Sequence, residues 1–320
     1  MSSQALSAKK PWPQCQFCKE NASILYKTQD YNRRISKEFF AYYRCSNCRL
    51  VFLNPIPDNL GDFYNDFYQF PPLEKTIQTA VGEKFKIEMV QKFAKGGKLL
   101  EIGPSIGVFA YQAKQAGYQV DTIEMSQECC DYLVKEIEVN AVNSDCPHKA
   151  MEGMCSYDII ALWHNIEHLP DPWACLSQVA KSLTPGGIVV IAAPNPDAFG
   201  FQVLGARWPH LDAPRHLNLI PVQVLIDFLK PLALEPVFIT TNDQGAKYWN
   251  RFSWQVYLMN WFGKNGKSFA QKSRLEWIFW SLIGYMVSFF VSPFERRELK
   301  GSAYTIILKK NPEKGFDHEK

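Results

Sequence analysis

The sequence predicts an α/β fold, and three observations predict it. At Leu99-Leu-Glu-Ile-Gly-Pro-Ser-Ile-Gly107 an apolar strand end breaks into a glycine turn and then a helix. From there to about residue 240, strand-like and helix-like stretches alternate, the pattern of a largely parallel sheet with crossover helices. The 320 residues are also 47% hydrophobic, enough to bury one full α/β core and a smaller module.

The elements follow in order. The strand end Leu99–Ile102 carries an acid, Glu101, and a helix is expected from Val108 to Ala116. A glycine turn opening a helix brings backbone N–H groups close to a small polar ligand. A dinucleotide fingerprint would need a third glycine at position 108, which is Val108. Tyr118 to Glu124 reads as a second strand ending in an acid, 21 residues after Gly103. That is about the spacing at which an acid reaches ribose hydroxyls. A third element ends near Asn143-Ser-Asp145, and Cys146 to Ser156 reads as irregular. Tyr157 to Trp163 reads as a buried strand, followed by His164-Asn-Ile-Glu167-His168-Leu-Pro-Asp-Pro172 and a helix from Trp173 to Ser182. Leu183-Thr-Pro-Gly-Gly187 then turns into a strand at Ile188 to Ala192. A sixth strand is expected at Phe238 to Thr241 and the last at Ala303 to Lys309.

In this order, Glu101-x-Gly103-x-Ser105-x-Gly107, Glu124, Glu167-His-Leu-Pro-Asp-Pro172 and Leu183-x-Pro-Gly-Gly187 resemble the class I S-adenosyl-L-methionine (SAM) methyltransferases. The resemblance covers roughly residues 96–240 and resumes at the last strand. It implies a Rossmann-like, seven-stranded core. It also implies that Glu101, Gly103, Ser105 and Gly107 line the methionine moiety and that Glu124 holds the ribose. Met125 would pack on the adenine, Asp145 would face its edge, and Trp163 would lie under the sulfonium with His164. Ser105 stands where the family commonly has glycine.

Methyl transfer needs an aligned nucleophile and often a proton acceptor. His164, His168 and His216 are the candidate bases, since histidine suits that role near neutrality. Glu167 and Arg215 are candidate substrate contacts, Arg215 as a clamp on a carboxylate or phosphate. His164-x-x-Glu167-His168 also spells an inverted zinc-protease motif. It follows a strand directly and is cut short by Pro170 and Pro172, so the helix that motif requires is not expected.

Four of nine cysteines form Cys15-x-x-Cys18 and Cys45-x-x-Cys48. Both pairs can reach one tetrahedral zinc ion, with Zn–S distances of about 2.3 Å. The 26 residues between them hold two strand-like stretches, Ser23 to Gln29 and Glu38 to Arg44, so a zinc ribbon is expected. Cys129, Cys130, Cys146, Cys155 and Cys175 show no ligand spacing. With its ribbon the chain looks like methyltransferases linked to sugars and cell-surface polysaccharides, in which ribbon and aromatic stretch cover the substrate side of the pocket.

The expected organisation is a ribbon over 1–57, an aromatic and helical linker over 58–95 (with a helix at about Lys84 to Ala94) and a SAM-binding core over 96–244. An insert over 245–300 and a last strand and tail over 301–320 complete it. Residues 1–10 and 311–320 are polar and expected to be loose. No apolar signal core precedes Pro11-Trp-Pro13, so a reducing, cytoplasmic setting is expected. The balance of 35 basic and 32 acidic residues, +3 overall, disfavours nucleic acid as partner. The insert differs: nine Lys/Arg against three Glu, five of nine tryptophans, and no charge from Trp277 to Phe294. A single crossing is excluded if the last strand rejoins the sheet, so peripheral contact with the inner membrane face, a lid, and a buried hairpin or dimer contact are the alternatives. The acceptor is expected to be a sugar nucleotide, a polysaccharide end or a lipid-linked intermediate. The rival readings are an RNA or protein methyltransferase docked through the ribbon, and a non-catalytic scaffold. Oligomeric state is left open.

Overall fold

The computed structural model describes residues 13–64, 70–262 and 273–312. Part of the aromatic stretch, the middle of the insert and most of both polar ends lie outside these residues. The N-terminal segment forms β1 (Ala22–Thr28), β2 (Phe40–Cys45) and β3 (Val51–Leu53). Helices α1 (Leu73–Gly82) and α2 (Phe85–Gln91) lead into β4 (Lys98–Ile102), α3 (Val108–Gln115), β5 (Gln119–Glu124), α4 (Gln127–Tyr132) and β6 (Asn140–Asn143). Next come α5 (Pro147–Glu152), β7 (Tyr157–Trp163), α6 (Pro172–Ser182), β8 (Leu183–Pro194), α7 (Phe199–Leu204), β9 (Asn218–Leu219) and α8 (Val222–Leu229). The chain ends through β10 (Leu234–Thr240), α9 (Gln244–Phe262), α10 (Arg274–Glu295) and β11 (Ala303–Lys310).

The central sheet has seven strands in the order β10-β11-β8-β7-β4-β5-β6. Strands β4 to β8 are parallel, and β11 enters antiparallel between β8 and β10. The expected Rossmann-like core is therefore present, with the order reversing between β4 and β7, where such sheets open a ligand crevice. Side-chain alternation gives the sheet two apolar faces. Leu100, Ile102, Ile160 and Leu162 pack against α6 and α8, while Leu99, Ile159, Ala161 and Trp163 pack against α2 and α3.

Two expectations are corrected. Residues 146–156, expected to be irregular, contain α5, which Pro147 opens at its first position. The linker carries two helices, not one. The N-terminal segment is stitched into the core, because β3 pairs with β9 to make a four-stranded sheet β1-β2-β3-β9. Three side chains reinforce that seam: Tyr42 donates its hydroxyl to His216 O at 2.7 Å, Asn32 donates to Pro209 O at 2.7 Å, and Asp30 pairs with Arg215.

Candidate active site

The glycine turn forms where β4 ends. Gly103 (φ +70°) donates its N–H to Ile123 O at 2.8 Å, which ties the turn to β5. Ser105 and Gly107 follow at φ +54° and +75°. That region is free for glycine and costly for serine unless the backbone is held. Ser105 is held: its N–H donates to Glu124 Oε2 at 3.0 Å, and Ser126 N–H donates to Oε1 of the same carboxylate, also at 3.0 Å. A Cβ at Gly103 would lie 1.9 Å from the Asn165 amide nitrogen, and one at Gly107 would lie 2.5 Å from Leu133 Cδ2. With these neighbours and a positive φ, glycine is the residue that fits both positions without strain.

Alternation along β4 sends Glu101 to the α2/α3 face, where it is 3% exposed and its Oε2 has no hydrogen-bond partner. Burial pushes this carboxyl up to about 8, against the opposing pull of Lys86 and the Ala110 N–H. An acid so placed gains from any cationic ligand that enters. Burial also raises Glu124, while the N–H groups of Ser126 and Ser105 pull it back. Met125 and Asp145 lie exposed beside this turn, and Asn143 donates to Met125 O at 2.9 Å.

Beyond the carboxyl ends of β7 and β8 lies a cavity of about 500 Å³. Trp163 and His164 form its floor, Lys86 of α2 one wall, and Tyr248 and Trp249 of α9 the other. Lys86 Nζ sits 5.3 Å from the centre of the Trp163 ring. A second cavity of about 230 Å³ shares His164 and Trp249 with the first and is lined also by Glu167, His168, His210 and His216. His164 holds a left-handed backbone (φ +52°), anchored by its N–H to Ala192 O at 2.9 Å, and its Nδ1 lies 3.6 Å from Glu167 Oε1. The 3₁₀ turn at Ile166–His168 replaces the helix an inverted zinc-protease motif would need.

Backbone carbonyls fix the other imidazoles. Nδ1 of His168 faces Arg215 O at 3.0 Å and Nδ1 of His216 faces His210 O at 2.8 Å. A carbonyl only accepts, so each Nδ1 carries a proton toward it. The two rings meet edge to face at 4.7 Å. Burial lowers His168 to about 4, the neighbouring His216 adding to that, so its ring is neutral at pH 7. Glu167 is 1% exposed and neither of its oxygens has a hydrogen-bond partner. Burial alone would raise its carboxyl, yet the contact with His164 above all holds it below the ordinary value. One nitrogen of each of His168 and His216 and one Glu167 oxygen lie within 4.8 Å of one another.

Arg215 does not serve the cavity. It is fully buried, with Nη2 2.7 Å from Asp30 Oδ1 and 2.8 Å from Asp212 Oδ1, and Nε 2.9 Å from Asp212 Oδ2. The expected substrate clamp is thus corrected to an internal ion pair that joins β1's following turn to the 209–216 loop. Burial alone would raise Asp212, but the Arg215 guanidinium holds it far below the carboxylate range. Sequence reasoning missed Lys86, Asn165, His210 and Trp249 as parts of this site. Only Trp249, within the aromatic insert, carried a signal of a pocket cover.

At the N-terminus, the Sγ atoms of Cys15 and Cys48 are 3.5 Å apart, those of Cys18 and Cys45 are 3.4 Å apart, and all four lie within 4.8 Å. Sulfurs on a tetrahedral ion at about 2.3 Å sit about 3.8 Å from one another, so this donor set fits such an ion.

Comparison with known proteins gives the site a family. Residues 75–231 match the family described as a methyltransferase domain. The ubiquinone biosynthesis O-methyltransferase of Xanthomonas oryzae pv. oryzae (strain PXO99A) is 27% identical over 146 residues, covering 43% of this chain and 59% of that protein. Its counterpart in Xanthomonas campestris pv. campestris (strain B100) is 27% identical over 150 residues, with the same coverage. The chain thus spans under two thirds of the length of these relatives. Among solved structures, a SAM-dependent methyltransferase from Archaeoglobus fulgidus superposes with a TM-score of 0.48 at 19% identity, covering 72% of this chain and 94% of that one. Family match, strand order and glycine turn agree: residues 75–231 carry a class I SAM-dependent methyltransferase domain.

Proposed function

We propose that this chain methylates a hydroxyl-rich small molecule, a sugar nucleotide, polysaccharide end or lipid-linked intermediate, using SAM. The observation that carries the proposal is the juxtaposition, at the carboxyl ends of the central strands, of a glycine turn between two buried acids and a neighbouring chamber lined by imidazoles. The turn fits SAM on its own features: the orphaned Oε2 of Glu101 suits a cationic group, and Glu124 retains lone pairs for ribose hydroxyls. Gly103, Ser105 and Gly107 would hold the methionine part, with Met125, Asp145 and Trp163 beside them. When bound, SAM supplies an electrophilic methyl group on a sulfonium. The residues of the chain do the rest. His164 takes the proton of the acceptor hydroxyl, and Glu167, facing its Nδ1, stabilises the imidazolium that forms. The neutral His168, with Nδ1 pinned, accepts a hydrogen bond at Nε2 from an acceptor hydroxyl, and His216 beside it helps hold the acceptor in line.

Trp249 and Phe252 beside these polar groups give the chamber the mixed wall a sugar ring favours. Zinc on Cys15, Cys18, Cys45 and Cys48 would act structurally, folding the segment whose Asp30, Asn32 and Tyr42 brace the 209–216 wall of the chamber. A cytoplasmic setting suits a reduced thiolate site. The test is transfer of labelled methyl from SAM to a panel of nucleotide sugars and lipid-linked sugars. His164→Ala should lower kcat by roughly 10²–10⁴ while S-adenosylhomocysteine binding stays unchanged. A fully active His164→Ala removes the base from this account, and transfer to RNA or protein instead of sugars replaces the substrate class.

A further inference from the structure

We infer that α10 is a docking surface for anionic phospholipid, its apolar face set into the membrane interface and a lipid phosphate held in the basic cleft between α9 and α10. This goes beyond the methyl-transfer reading and does not depend on it. By length and composition α10 could cross a membrane, with a mean hydropathy of 1.5 over its 18-residue window. The fold forbids a single crossing, because β11 follows at Ala303 and lies between β8 and β10 in the central sheet, and α9 cannot cross beside α10, because Trp254, Val256 and Met259 seat it in the protein. The helix therefore lies along the protein surface.

One side of α10 is seated. Gly284 faces α9 so closely that a Cβ there would lie 2.6 Å from the Gln255 Cβ, and Ser273 and Glu276 close its first turn as a capping box. The other side is bare. Leu275, Phe279, Leu282, Met286 and Phe289 recur at intervals of three or four with Phe290 beside the last, and their exposures run from 55% to 79%. Soluble surfaces rarely leave such a stripe in water. Its register is fixed by the packing against α9, so the exposure is built into the fold.

Charge selects the occupant. Beside the stripe a cleft of about 240 Å³ is lined by Lys247 and Arg251 of α9, Tyr285 and Ser288 of α10, and Arg296 just beyond. The acid in that lining, Glu295, is 1% exposed and accepts from Trp254 Nε1 at 2.8 Å, which turns it inward. Arg274 and Arg297 flank the two ends of the apolar run. Basic groups around an apolar helical face match an anionic lipid surface and repel a second identical face. The first turns of α9, which carry Lys247, also line the 500 Å³ cavity with Gln244, Tyr248 and Trp249, so docking brings that cavity to the membrane.

Flotation of the full chain with vesicles tests the inference, using phosphatidylcholine alone and phosphatidylcholine with an equal part of phosphatidylglycerol. The chain should float with the mixed vesicles about tenfold or more in excess of the neutral ones. Phe289→Glu with Phe290→Glu should abolish flotation, and Arg251→Glu with Arg296→Glu should abolish the preference for anionic vesicles. Both variants should keep the wild-type circular dichroism spectrum. A wild type that stays in the buffer with mixed vesicles overturns the inference. So does a dimer that the phenylalanine variant dissociates with no vesicle uptake, since the covering partner is then a second copy.

Discussion

Glu101 sets a trade between stability and binding that can be measured. Its carboxyl rises from an ordinary 4.5 to about 8 on folding, chiefly through burial. The folded chain therefore binds more protons than the unfolded chain between those values. Stability from this group is full at or below about pH 4.5, falls as pH rises, and is lowest above about pH 8. At about 1.4 kcal/mol per pH unit the full difference is about 5 kcal/mol, an upper bound that water entry and relaxation reduce to roughly 1–3 kcal/mol. Glu101→Gln keeps the shape and removes the charge. Urea unfolding at pH 9 should show the variant more stable than wild type by that amount, with the two indistinguishable at pH 4. Taking the difference between variant and wild type cancels the titration of His168 and other groups. The same variant should lose S-adenosylhomocysteine affinity, because the ligand's ammonium then meets a neutral amide. A variant less stable at pH 9, or one that binds as well as wild type, would refute the assignment of a charge-starved acid awaiting a cation.

Two further predictions concern the seam between the N-terminal segment and the core. Arg215→Met takes the guanidinium away from the buried Asp30 and the partly buried Asp212, so it should destabilise the fold by about 3–5 kcal/mol in urea unfolding; a change below about 1 kcal/mol would mean the pair is dispensable. Purified chain should carry one zinc per molecule by elemental analysis and lose it in Cys45→Ser, with a lower Tm on chelation. A metal-free chain with an unchanged Tm would leave the four thiols as packing only.

What the sequence made legible was local. Tyr157 to Trp163 is apolar except for Asp158, so its strand can be read from the sequence, and the glycine turn announces itself because Gly103 and Gly107 occupy backbone conformations that few other residues adopt. The two Cys-x-x-Cys pairs likewise state their geometry in their spacing. The chamber was only half legible. His164, Glu167 and His168 fall on one loop, whereas His210, Trp249 and Lys86 reach the same space from segments far apart in the chain, a juxtaposition no local pattern encodes. Arg215 misled for the same reason: beside His216 it reads as a substrate clamp, and only the fold shows Asp30, 185 residues earlier, filling its guanidinium. The helix α5 was readable after all, since Pro147 is a helix-opening signal that the neighbouring cysteine and histidine obscured.

The most direct test of the central claim is a calorimetric titration of the zinc-replete chain with S-adenosylhomocysteine, alongside Glu124→Gln. The account predicts micromolar binding by the wild type and at least a tenfold loss in the variant, whose amide can no longer serve two backbone N–H groups and a ribose as a carboxylate does. A well-folded wild type that releases no heat and binds no ligand would contradict it and leave the fold as a scaffold.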